Sequence, residues 1–163
     1  MTDAGALKEA LMADLATLSG FEGSQPLGLE GRNAAANCLL SFYRLGRQGH
    51  RLSEGEVKEL ADVFRRVEKP LVSYLDSFLG MFYVPWEGCS NTVCQIRSGL
   101  QFLLDDYSAV IFGEKPGGDD RLAAFKEKID LKELNSCLKQ WKDHAFEIPK
   151  RPIDVPKSHF WWL

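Results

Sequence analysis

The chain is poor in the residues that most chemistry needs. It has three histidines, His50, His144 and His159, and they stand well apart in the sequence. Its four cysteines, Cys38, Cys89, Cys94 and Cys137, include no CxxC pair. Cys89 and Cys94 are five apart, which is neither a redox spacing nor the usual zinc spacing. No metal site is therefore expected, and the cysteines read as reduced, mostly buried thiols. The phosphate-binding patterns GxxxxGKS, GxxxxGKT and GxGxxG do not occur, and neither does the GxSxG nucleophile elbow. A di-iron bundle needs ExxH on facing helices, and no ExxH is present. These absences leave no expected cofactor and no catalytic residue to nominate.

Charge of one sign is also scarce. Lys and Arg total 20 against 23 Asp and Glu, for a net charge of −3. Two basic clusters exist, Arg44, Arg47 and Arg51 and then Lys150, Arg151 and Lys157, and both are too short to form a nucleic-acid stripe. No apolar run reaches the roughly 20 residues of a membrane span. The most apolar stretch, Val72 to Trp86, is interrupted by Asp76 and suits a buried helix with Asp76 on its exposed side. The N-terminal residues carry acids at Asp3, Glu9 and Asp14 in place of a leader's basic and apolar blocks. A cytoplasmic protein without nucleic-acid or membrane partners is the expectation.

What is present is helical periodicity. Leu7, Leu11, Leu15 and Leu18 form one helical face, with Thr2 or Asp3 as its cap and Gly20 as its end. A second helix is predicted over about 30–45, with Ala34, Ala35, Cys38, Leu39, Phe42 and Leu45 inward. The alanines there would let a neighbouring helix come close. Ser53 and Glu56 have capping-box spacing, and Val57, Leu60, Phe64 and Val67 follow on one face. Pro70 then predicts either a kink near Arg66 or a new helix from about Lys69, and the stripe continues through Val72, Leu75, Phe78, Leu79 and Phe82 to a stop at Pro85. Ser90 or Asn91 opens the next helix, whose stripe of Val93, Ile96, Leu100, Leu103, Leu104, Tyr107 and Ile111 closes at Gly113. Asp119 or Asp120 opens the last helical region. Asp130 and Glu133 repeat the capping-box spacing, so a break is expected there. No strand pattern stands out. The fold class is all-α, a single compact bundle of five or six helices over 1–145.

Residues 146–163, FEIPKRPIDVPKSHFWWL, are unlike the rest. Pro149, Pro152 and Pro156 exclude a regular helix, so an extended C-terminal arm ending in Phe160, Trp161 and Trp162 is expected. Each of these three aromatics offers roughly 150–250 Å² to bury, at about 25 cal/mol per Å². Ordering the arm costs about 1–2 kcal/mol per residue, so docking should be marginal and switchable. The arm can pack on its own bundle, on a partner protein or on a second copy of the chain. Prolines favour a low-entropy extended segment, and tryptophan is a frequent interface anchor.

Other candidates have plainer readings. Arg44 and His50, in RLGRQGH, could serve a small nuclease, but cations at a helix end also offset the helix dipole. Asp105 and Asp106 are adjacent and point about 100° apart, which makes a poor acid–base pair and a good solvated face. Tyr74, Phe78, Tyr83 and Trp86 could line a pocket for a small apolar ligand near Pro70, or simply fill the core. The leading expectation is a non-catalytic protein-binding protein, an adaptor, inhibitor or immunity-type partner, that recognises another protein through Phe160, Trp161 and Trp162. A ligand-binding bundle is the alternative, and a nuclease the third.

Overall fold

The structure, a computed structural model, describes residues 3–21, 23, 27–81, 90–113, 118–130, 132–133, 135–136, 139 and 154–160, without the side chains of 78–81, 90–91, 118–119 and 160. In chain order it has α1 (Ala4–Ser19), α2 (Leu29–Arg47), α3 (Glu54–Met81), α4 (Ser90–Phe112), α5 (Gly118–Lys128) and a 3-10 turn at Lys157–Phe160. No strand occurs among the described residues. None of the described helices is long and apolar enough to cross a membrane.

The helix ends follow local chemistry. Asp3 caps α1, its Oδ1 accepting the Gly5 amide at 3.3 Å. At the end of α2, Gly49 takes φ +69, and the amides of Gly49 and His50 reach back to the carbonyls of Gly46 and Leu45 at 3.0 and 2.9 Å. That double bond around a left-handed glycine is a Schellman motif. The capping box of α3 is formed in both directions. Glu56 Oε2 accepts the Ser53 amide at 2.6 Å, and Ser53 Oγ accepts the Glu56 amide at 3.4 Å. Asp130 stands at φ +46, a conformation that costs a non-glycine residue about 1–2 kcal/mol and that Asp tolerates better than most. Its Oδ1 also accepts the Glu133 amide at 3.2 Å, so one residue stops α5 and caps the next turn. The expected break is there.

Pro70 neither ends α3 nor starts a new helix; it lies inside one 28-residue element. A mid-helix proline removes a hydrogen bond and costs on the order of 3 kcal/mol. Apolar burial on both sides offsets that cost: Leu60, Phe64 and Val67 precede it and Leu71 and Leu75 follow, all buried. Asp76 is exposed, as its place in an amphipathic helix requires.

Cross-helix contacts give the topology. Lys8 meets Glu56 at 3.1 Å, and Met12 to Ser19 run beside Glu59 to Arg66, so α1 and α3 are parallel neighbours. Leu39 faces Gly99, Gly46 faces Phe102, and the Leu52 amide donates to the Tyr107 hydroxyl oxygen, so α2 and α4 also run parallel. The closest approach is backbone on backbone: a Cβ at Gly99 would overlap the Leu39 carbonyl oxygen, and one at Gly46 would enter the Phe102 ring. Tight packing therefore falls at these two glycines as well as at the buried Ala34 and Ala35. Phe64, Phe112 and Phe125, with centroids 5.3–5.7 Å apart, join α3, α4 and α5 in one aromatic cluster.

Gly99→Ala should lower stability in urea denaturation by about 3 kcal/mol, near the upper end for overpacking, because the obstructing atom is backbone and cannot swing aside. Gly55→Ala is the contrast. It lies in the first turn of α3 with open space around it, and it should stabilise by about 0.5–1 kcal/mol.

Candidate functional site

One strip of α4 breaks its apolar face. Arg97 stands four residues after Val93 and three before Leu100, where the stripe calls for an apolar residue. Arg97 and Ser98 are buried, at 3% and 0% exposure. Arg97 Nε donates to Asn135 Oδ1 at 2.9 Å, and its Nη2 to Gln101 Oε1 at 3.0 Å. Gln101 Nε2 passes the chain on to Asp105 Oδ1 at 2.7 Å. Burial pulls the Arg97 guanidinium down to about 10, with Asp105 acting against that shift, so it remains charged at neutral pH.

The C-terminal segment closes this strip. His159 is 1% exposed. Its Nδ1 lies 3.0 Å from Ser98 Oγ and its Nε2 3.1 Å from Asp105 Oδ2. The Phe102 ring meets the imidazole edge-on at 4.2 Å between centroids. A carboxylate can only accept, so the Nε2 proton points at Asp105; in the neutral ring Nδ1 is then the acceptor, and Ser98 donates its hydroxyl proton to it. Nearby, Asp154 receives Arg47 Nε on both oxygens, at 2.9 and 2.7 Å. Val155 is buried at 1% exposure. The His159 amide donates to the Pro156 carbonyl at 3.0 Å, which forms the 3-10 turn. Residues 157–160 form this turn, which directs the imidazole back toward α4; residues 146–153 and 161–163 of the expected extended arm lie outside the described residues. Residues 154–159 form a short strap across α2 and α4.

A serine, a histidine and an aspartate in hydrogen-bonded sequence invite comparison with a catalytic triad. The surroundings differ from what acyl transfer needs. Ser98 lies in mid-helix, where its amide belongs to the helix ladder and cannot serve an oxyanion. It is inaccessible while the strap is docked. The base sits on the strap, so lifting the strap to admit a substrate removes His159 from Ser98. The arrangement holds a segment in place.

The residues singled out from sequence fall in different places. Tyr74 is buried in α3, and burial pushes its phenol up to about 12. The backbone of Phe78 continues α3, while its side chain, Tyr83 and Trp86 lie outside the described residues. The backbone of Phe160 closes the 3-10 turn; its side chain, Trp161 and Trp162 also lie outside. Arg44 and His50 are exposed around the α2 C-cap. Asp106 pairs with Arg51 at 3.0 Å, and Asp105 is exposed, as its place on a solvated face requires, while also holding the strap. A groove of ≈340 Å³ runs between α1 and α3, with Met12, Leu15 and Val63 beside Glu59, Asp62 and Arg66. No cluster of three metal-ligating side chains occurs among the described residues. Ser98, His159, Arg47 and Asp154 were not nominated from sequence. Arg97 inside an apolar stripe was the one local sign that α4 held a buried polar strip.

Comparison with known protein families, with curated proteins and with solved structures finds no match. The site is therefore read from its own geometry.

Ser98→Ala removes the donor to Nδ1 and leaves a buried acceptor unsatisfied. It should weaken strap docking by about 1–3 kcal/mol, measured as lost hydrogen-exchange protection of the His159 amide. The Arg47–Asp154 pair is about two-fifths exposed on each side. A double-mutant cycle with Arg47→Ala and Asp154→Ala should give a coupling of about 0.2–1 kcal/mol, as exposed pairs do.

Proposed function

We propose that the protein is a non-catalytic binding protein, of the adaptor, inhibitor or immunity type, and that its C-terminal segment is the element that engages another protein. The observation that carries this reading is the way residues 154–159 are attached. Of the buried apolar side chains in the core, only Val155 comes from this segment. Its other described contacts are side-chain hydrogen bonds to α2 and α4 and the packing of the His159 ring on Phe102. On this reading the strap leaves without unfolding the helices it rests on, whose described core side chains otherwise come from the bundle itself.

The sequence that follows supplies the anchor. Phe160, Trp161 and Trp162 are residues of the kind that dominate interface energies, and the preceding prolines limit the entropy lost on binding. The partner is another protein, with a second copy of this chain as one form it can take. Cys38 and Cys94 are buried, and burial pushes the Cys38 thiol up. Unreactive thiols suit a cytoplasmic setting. The small-ligand reading gains no support from Tyr74, which is packed inside the bundle.

Deleting residues 158–163 should leave the helical circular dichroism and the urea midpoint of the bundle nearly unchanged. A photo-crosslinker in place of Trp162 should capture one defined protein, or a second copy, in cells, and a crosslinker at exposed Ala109 should not. An unfolded truncation would make the segment part of the core. Equal crosslinking at both positions would remove the binding role.

A further inference from the structure

We infer that His159 is a proton-operated latch: the strap docks with a neutral imidazole and lets go when that ring takes up a proton. Its use in controlling recognition rests on the binding reading above; the latch itself does not.

Both nitrogens of a neutral imidazole are satisfied here, and burial disfavours the charged ring. Asp105 accepts from Nε2 and Ser98 donates to Nδ1, so one donor and one acceptor each have a matching partner. A proton added at Nδ1 makes the ring a donor on both sides. Ser98 must then turn its own hydroxyl proton away, at a position with 0% exposure. The ring itself is 1% exposed, so its charge would be shielded from water. The Phe102 ring packs edge-on against it.

The surrounding charges pull both ways. On α4, Arg97 opposes a second buried cation, while Asp105 and Asp106 favour it. Asp105 has a half-exposed side chain and is shared with Gln101. Asp106 is occupied by Arg51. On α2, Arg47 is matched by the strap's own Asp154. Lys157, on the strap, is exposed, and Asn135, which bonds Arg97, is neutral. Burial is the largest influence, and it sets the ring below its ordinary value.

The sign follows from linkage. In the free strap the ring titrates near the usual value of about 6.5, and in the docked strap it titrates lower. Docking is thus fully supported above about pH 6.5 and weakens as pH falls through the docked value. Release takes up at most one proton, so the opening constant rises by no more than about tenfold per pH unit in that window.

Two measurements on the full chain test this without any partner. The His159 ring, followed by NMR, should titrate with a midpoint below about 6.5. Hydrogen-exchange protection of the His159 amide, corrected for intrinsic rates, should fall severalfold between about pH 7.5 and about pH 5.5. His159→Gln keeps an amide donor and acceptor in the pocket and cannot titrate. Its strap should stay protected across the same range. A ring midpoint at or above the ordinary value overturns the latch, as does an equal pH response in His159→Gln. If the glutamine variant fails to dock at neutral pH, the wild-type ring midpoint decides alone. Partner capture that fails while the ring behaves as expected would overturn the binding reading and leave the latch standing.

Discussion

The contact between Gly99 and the Leu39 carbonyl sets the depth at which α4 sits on α2. With any side chain at that position the helices would stand further apart. Phe102 would then lose its place over Gly46, and the Tyr107 hydroxyl would draw away from the Leu52 amide. The same approach fixes where α4 presents Ser98 and Asp105, one residue before Gly99 and six after it. The strap therefore reads a surface whose position depends on a missing Cβ. Backbone contacts of this kind are unforgiving because neither partner has a rotamer to change.

The polar strip on α4 is a directed chain of hydrogen bonds ending in one acceptor. Arg97 donates to Asn135 and Gln101, Gln101 donates to Asp105, and His159 donates to Asp105 from the other side. Ser98 donates to the ring. Each link polarises the next, most strongly at the buried Arg97 and Ser98 and least at the half-exposed Asp105. A buried cation and imidazole are poor sources of raw stability, since their desolvation consumes most of what their contacts return. What they add is direction, since His159 meets a particular donor and a particular acceptor on α4.

Much of the fold was legible in the sequence because it is written locally. The leucine spacing of α1, the Ser53–Glu56 box, the glycine ends of α1 and α4 and the break at Asp130 each depend on residues within a few positions. Pro70 was ambiguous for a physical reason: whether a proline ends a helix depends on burial on both sides, which lies in the tertiary structure. The site was far less legible. Its partners are 54 to 107 residues apart, and Ser98, Asp105, Arg47 and Asp154 are individually ordinary. Arg97 alone violated its local pattern. The C-terminal aromatics drew attention by composition, while the described contacts belong to the residues before them.

The parallel pairing of α1 with α3 and of α2 with α4 has a consequence for the field around the molecule. At the end where α2 turns into α3, two helix N-termini and two C-termini meet. The N-termini carry Asp3, Glu54 and Glu56, and Arg44, Arg47 and Arg51 cluster around the end of α2. Opposite dipole ends and opposite side-chain charges alternate over a short distance, so their fields cancel beyond about a Debye length, roughly 8–10 Å. The arginine cluster is thus one half of a local mosaic.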